Sequence, residues 1–184
     1  DSIRDNRTDG FAFKYFFNPI REFVDGFVTI IREIIAIPNG NSSIPVLGWL
    51  GVIAVIGFVV FAVSNIRMAF AAIVLTFACG ALGLWTESMD TLAMTFAAVI
   101  LSLAIGIPVG IWAGLSDRVL KAVTPILDLA QILPTLVYLA PLALFFLIGP
   151  ASATIATMVY SIPIAVRLTA FGIRGVPTSP VEAG

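Results

Sequence analysis

The sequence contains no histidine, one cysteine and very little charge, and each shortage excludes something. Without histidine the chain lacks the commonest general base, the usual neutral-pH proton switch and the commonest zinc ligand. A single cysteine, Cys79, can form no intrachain disulfide, and its apolar surroundings suit a small packing residue. Charged residues make up 11% of the chain, against roughly 25% in soluble domains. With a formal net charge of −1 nothing suggests a nucleic-acid partner. No phosphate-cradling glycine loop, metal-ligand spacing or nucleophile elbow is found. The sequence therefore reads as that of a non-enzymatic protein, in which any energy-using step belongs to another chain. The N-terminus lacks a basic region followed by an apolar run, so no signal peptide is expected.

What fills the chain is apolar: 59% of the 184 residues are hydrophobic. A soluble fold would have almost nothing left to cover such a core. A spanning helix needs about 20 mostly apolar residues, and five stretches qualify: 44–63, 68–85, 91–115, 122–148 and 152–172. The expected fold is all-α, a polytopic transmembrane helix bundle occupying residues 44–184.

The short connections force antiparallel neighbours, and their charges set an orientation. Arg67 lies between spans one and two, Arg118 and Lys121 lie between three and four, and Arg167 and Arg174 follow at the end of span five. Glu87 and Asp90 occupy the second connection without a basic residue. Basic loops stay in the cytoplasm, so the N-terminus is expected outside.

Residues 1–43 form a separate external segment with about half of the chain's charge. Phe16, Ile20, Phe23, Phe27, Ile30, Ile31, Ile34 and Ile35 recur at three- and four-residue steps, with Arg21, Glu22, Asp25, Arg32 and Glu33 between them. This predicts an amphipathic helix ending before Pro38, lying on the lipid bilayer surface or against the other helices.

Two groups stand out within the spans. Gly106, Gly110 and Gly114 share one helix face with Pro108 among them, which predicts close helix packing or a hinge. Asp128, Gln131, Thr135 and Tyr138 form a polar stripe on span four, next to Pro134. An intramembrane ionisable residue is costly and faces a bundle interior or water. The stripe is thus a candidate lining for a translocation path, or polar glue between helices. Arg167 is expected to snorkel to the cytoplasmic surface in preference to pairing with Asp128.

The runs IGIPVGIW (105–112), LDLAQILPTLVYLAP (127–141), IPIAVRLT (162–169), GIRGVP (172–177) and the terminal Glu182-Ala183-Gly184 resemble the permease subunits of ATP-binding-cassette importers, most closely the glycine betaine/proline betaine branch. The match covers a little under half of the chain. The resemblance implies a type I importer permease fold that continues beyond Gly184. It implies that Glu182, Ala183 and Gly184 begin the cytoplasmic coupling helix that docks on the ATPase, with Gly184 where the family pattern has alanine. It also implies a second permease copy in a homodimer, cytoplasmic ATPase subunits that bind the ATP and magnesium, and an external substrate-binding protein. The chain itself would need no cofactor. The expected function is import of a compatible solute such as glycine betaine, proline betaine or trimethylamine N-oxide across a bacterial inner membrane. An ion-coupled secondary transporter using Asp128, a permease for an unrelated solute and a passive channel or scaffold are the competing readings.

Overall fold

Local chemistry decides where each helix starts and stops. The computed structural model describes residues 13–35 and 47–176. These form one π-helical turn, Phe13–Phe17, and seven α-helices: α1 (Asn18–Ile35), α2 (Gly48–Val63), α3 (Ile66–Ala81), α4 (Trp85–Leu115), α5 (Asp117–Ile132), α6 (Thr135–Phe146) and α7 (Pro150–Arg174). No strand occurs among the described residues. The expected boundary after residue 43 lies outside the described residues. Contacts group the described residues into two units: 25–96, and 13–24 together with 97–176.

The expectation of five full spans is corrected in its lengths. α4, with 31 residues, and α7, with 25, are long and apolar enough to cross a membrane. α2 and α3 have 16 residues each, about 24 Å at 1.5 Å per residue, which is shorter than a full span. α5 and α6 qualify only as a pair, bent by 100° at their junction. The expected loops are also shorter. Arg67 lies inside α3, Glu87 and Asp90 inside α4, and Arg118 and Lys121 inside α5. The actual break between α2 and α3 follows from Asn65, whose side chain accepts the Met68 N–H at 3.0 Å as an N-cap. The break between α3 and α4 follows from Gly83, at φ 76°, a backbone conformation that glycine adopts without penalty. The first turn falls in the connection expected between spans one and two, whereas the second sits in a run that hydropathy alone reads as continuous.

In the unit of residues 25–96, α2 and α3 form an antiparallel hairpin. The Trp49 and Phe77 rings lie 6.5 Å apart. Nearer the turn, a Cβ at Gly57 would fall 2.7 Å from the Ile73 side chain. Val52 and Met89 are buried together, flanked by Ile35, Ile56, Trp85 and Leu92. Arg32 and Asp90 close this unit with a two-point pair, Nε to Oδ1 at 2.8 Å and Nη2 to Oδ2 at 2.6 Å. The Leu47 N–H donates to the Ile34 carbonyl at 3.2 Å, joining the start of α2 to the end of α1.

The apolar arc of α1 is wider than its covered part. Val24 and Val28 are the buried positions, while Phe16, Phe23, Ile30 and Ile34 from the expected stripe are exposed. The seam therefore runs along one flank of the apolar arc and includes two valines that the stripe omits.

In the other unit, α4 and α7 pack in parallel. A Cβ at Gly106 would fall 2.5 Å from Ala165 Cβ, at Gly110 2.6 Å from Thr169 Cβ, and at Gly114 3.0 Å from Ile173 Cβ. The pairings 106/165, 110/169 and 114/173 advance in the same direction on both helices. Missing side chains let the two backbones approach, as in membrane helix pairs generally. Pro108 is exposed, and α4 is assigned as one helix through it. Two parallel helices need a returning segment between them, and α5 with α6 supplies it. At the far end of α6 the Phe17 ring stacks on Phe145 at 4.8 Å and meets Phe146 edge-on at 5.5 Å. This pins the N-terminal turn to α6.

Candidate functional site: the broken α5–α6 segment and its ion pairs

The polar stripe expected on one continuous helix is divided by a break. α5 ends at Ile132, Leu133 is extended (φ −77°, ψ 134°), and α6 begins at Thr135. Pro134 causes this. It has no N–H for the Ala130 carbonyl, and it disfavours helical geometry at Leu133. Leu129 and Ala130 are left with carbonyls that the helix would otherwise have used. The Tyr138 hydroxyl approaches both at 3.1 Å, so one proton is shared between two acceptors. Tyr138 thereby holds the bend, with its hydroxyl turned to backbone instead of a channel. Non-helical backbone at membrane depth is tolerated where protein buries it or where it lines a water-filled cavity.

Asp128 lies one turn before the break, and the structure corrects the expectation for Arg167. Arg167 Nη2 donates to Asp128 Oδ1, so the arginine is paired. Arg167 is 34% exposed and Asp128 50% exposed, so the described residues leave the pair partly uncovered. A second pair joins the same helices: Arg174 Nη1 lies 2.7 Å from Asp117 Oδ1. Arg174 also donates from Nη2 to the Ala113 carbonyl at 3.1 Å, tying the C-terminal end of α4 to α7. The pairings 117/174 and 128/167 run in opposite directions, so α5 is antiparallel to α7. The spacing held a signal for this. Arg167 and Arg174 are seven apart and Asp117 and Asp128 eleven apart, both one-face spacings on a helix.

Two cavities meet at Asp128. One, of about 350 Å³, is lined by Leu120, Lys121, Thr124, Pro125 and Asp128. The other, of about 260 Å³, lies between α5 and α7 and is lined by Asp128 from α5 and by Arg167, Phe171 and Arg174 from α7. Phe171 was not expected at the site. It stands four residues beyond Arg167, on the same face of α7.

The remaining candidates fall as follows. Gln131 is half-buried in the last turn of α5, and Thr135 opens α6. Gly106, Gly110 and Gly114 form the α4–α7 seam. Glu182, Ala183 and Gly184 lie outside the described residues. Ser102 and Thr154, which the sequence reading passed over, are buried with hydroxyls that have no hydrogen-bond partner.

Residues 106–184 match the family described as binding-protein-dependent transport system inner membrane component. The chain is 34% identical over 174 residues to the glycine betaine/proline betaine transport system permease protein ProW of Escherichia coli, covering 89% of this chain and 49% of that protein. It is 38% identical over 102 residues to the glycine betaine transport system permease protein OpuAB of Bacillus subtilis, covering 55% of this chain and 36% of the relative. With the trimethylamine N-oxide transport system permease protein TmoV of Pelagibacter ubique it shares 34% identity over 146 residues, covering 79% of this chain and 20% of the relative. The chain thus spans about half, or less, of the length of these relatives. From residue 106 onward the chain thus carries the domain of this binding-protein-dependent transport family, and the relatives it resembles are permease subunits of transport systems. It is a membrane-embedded, multi-pass protein.

Proposed function

We propose that this chain is part of the permease subunit of an ATP-driven importer for a small methylated-amine solute such as glycine betaine, proline betaine or trimethylamine N-oxide. The observation that carries this reading is the similarity to betaine permeases along 89% of the chain. It coincides with a bent, proline-broken segment whose Asp117 and Asp128 pair with Arg174 and Arg167. Asp128, Gln131 and Thr135 line or border the solute path, and Tyr138 fixes the bend beside it.

In the working assembly two copies of the permease form the path. An external binding protein delivers the solute, and cytoplasmic ATPase subunits, holding ATP and magnesium, drive it. Glu182, Ala183 and Gly184 begin the element that docks on the ATPase. The N-terminal segment faces outward in the bacterial inner membrane. The parallel run of α4 and α7, with α5 and α6 returning between them, supports this orientation. It gathers Arg118, Lys121 and Arg174 at one end of the unit, as a cytoplasmic end requires.

The test is reconstitution of the full-length permease with its ATPase and binding protein. Uptake of labelled glycine betaine is expected only when all three and ATP are present. Uptake driven by an ion gradient alone would replace this reading with secondary transport through Asp128.

A further inference from the structure

We propose that Arg174 is a positioning residue for transport. It sets the angle of a one-residue hinge, Ser116, between α4 and α5, and carries movement of the ATPase-docking element to the bent α5–α6 segment. The proposal rests on the importer reading above and adds to it the side chain that joins the two parts.

Three helix ends meet at this guanidinium. Arg174 is the last residue of α7, Asp117 is the first of α5, and Ala113 lies in the last turn of α4. Arg174 Nη1 lies 2.7 Å from Asp117 Oδ1, and Nη2 donates to the Ala113 carbonyl at 3.1 Å. The last four carbonyls of a helix have no partner within it, so the Ala113 oxygen can accept from outside. The charges also suit the ends they occupy. A cation is favoured at the C-terminal ends of α4 and α7, and a carboxylate at the N-terminal end of α5. The planar arginine fork makes both contacts at once, which a lysine ammonium does less well.

Between α4 and α5 stands Ser116 alone, in extended geometry (φ −138°, ψ 118°) and without a capping bond from its side chain. Rotation about its two soft dihedrals swings one helix against the other. α4 and α7 are locked together beside it, since a Cβ at Gly114 would fall 3.0 Å from Ile173 Cβ. α5 is not packed in this way. A cavity of about 260 Å³ lies between it and α7, and Leu127 is the buried side chain on it. α5 is therefore the member that can swing, and Arg174 spans the hinge by holding one residue on each side of it. The break at Pro134 follows at the other end of α5, so the angle at Ser116 decides where the bent segment points. In sequence, Arg174 stands eight residues before Glu182, where the docking element is proposed to begin. A pull on that element acts first on the end of α7, and through Arg174 on both sides of the hinge.

The experiment compares Arg174→Gln, Arg174→Lys and Asp117→Asn in the full-length permease, reconstituted with its ATPase and binding protein. Solute taken up per ATP hydrolysed is expected to fall about five-fold or more in Arg174→Gln, the lower range of a coupling between two sites. Arg174→Lys should recover part of the loss, and Asp117→Asn, which keeps the Ala113 contact, should lose less than Arg174→Gln. ATPase co-purification and the melting midpoint should stay near wild type, because Asp117 is 77% exposed at a helix end and such a pair adds little stability. Should Arg174→Gln fail to assemble, the other two variants carry the test. Spin labels on Trp112→Cys and Ile126→Cys, with Cys79→Ser and labelled copies diluted among unlabelled ones, read the hinge directly. Their distance distribution should broaden when Arg174→Gln is added. An unchanged uptake-to-ATP ratio in assembled variants would overturn the proposal, as would an unchanged distance distribution. So would a parallel loss of melting, assembly and uptake at constant ratio, which a merely structural contact gives. If the unsubstituted complex performs no ATP-driven uptake, the importer reading falls, and the hinge assignment stands or falls on the spin-label distances alone.

Discussion

Gly110 on α4 lies so close to Thr169 on α7 that a Cβ at position 110 would sit 2.6 Å from the threonine Cβ and 2.8 Å from the Val166 carbonyl oxygen. Both neighbours are parts of the chain that cannot swing aside, so a larger residue must push the helices apart. Gly110→Ala is expected to destabilise the folded protein by about 1–3 kcal/mol, the usual cost of overpacking. Gly172→Ala on α7 is the control. Nothing lies within 4 Å of its added methyl, and alanine is the better helix former. Thermal melts in detergent should show a lower midpoint for the first substitution and an equal or higher one for the second. Equal melts would mean that α4 and α7 do not meet at this seam.

Tyr138→Phe keeps the ring and removes the proton shared by the Leu129 and Ala130 carbonyls. The loss of a hydrogen bond to otherwise unused carbonyls is expected to cost about 1 kcal/mol. It should also loosen the α5–α6 bend. Melting should shift down slightly, and ATP-driven uptake in the reconstituted full-length system should fall more than stability does. A variant with wild-type melting and uptake would show that Pro134 alone maintains the bend.

Much of this architecture is visible in the residues themselves, and the failures have physical causes. The two long helices and the glycine seam follow from hydropathy and from the 106/110/114 spacing. The turn at Gly83 does not, because Leu82 and Leu84 flank it and continue the apolar run. The turn after α6 is expected at 149–151 and falls about two residues earlier, between Phe146 and Pro150. Leu147 adopts φ 66° there, a conformation costly for leucine and not signalled by its type. The break at Pro134 was marked by the proline, yet the four-residue stripe was read as one helix because its spacing fits either case. The Asp128–Arg167 pair was missed because a lone arginine near a helix end snorkels as readily as it pairs. Only the matching Asp117–Arg174 spacing distinguishes the two.

Glu182→Lys tests the coupling assignment. The relevant residues lie beyond those described structurally, so the expectation rests on the motif after Pro177 and Pro180. Reversing the charge at the start of a docking element should reduce co-purification of the ATPase several-fold while leaving membrane insertion intact. Pull-down from detergent extracts of the full-length complex measures this. Wild-type recovery of the ATPase, with undiminished coupled uptake, would remove the residue from the contact.

Arg32 and Asp90 test the unit that the amphipathic helix builds with α2, α3 and the start of α4. Each is about one-quarter exposed, 25% and 24%, so the pair is shielded more than a surface pair and less than a buried one. Two parallel N–H···O bonds fix its geometry. Asp90→Asn keeps the shape and removes the charge, while Arg32→Gln removes the fork. A double-mutant cycle is expected to give a coupling of about 1–2 kcal/mol, each single change destabilising and the double change costing less than the sum. Arg32→Lys should recover only part of the loss, because an ammonium cannot make the two-point contact. Additive single effects would mean that α1 is held to this unit by its valine and isoleucine flank alone.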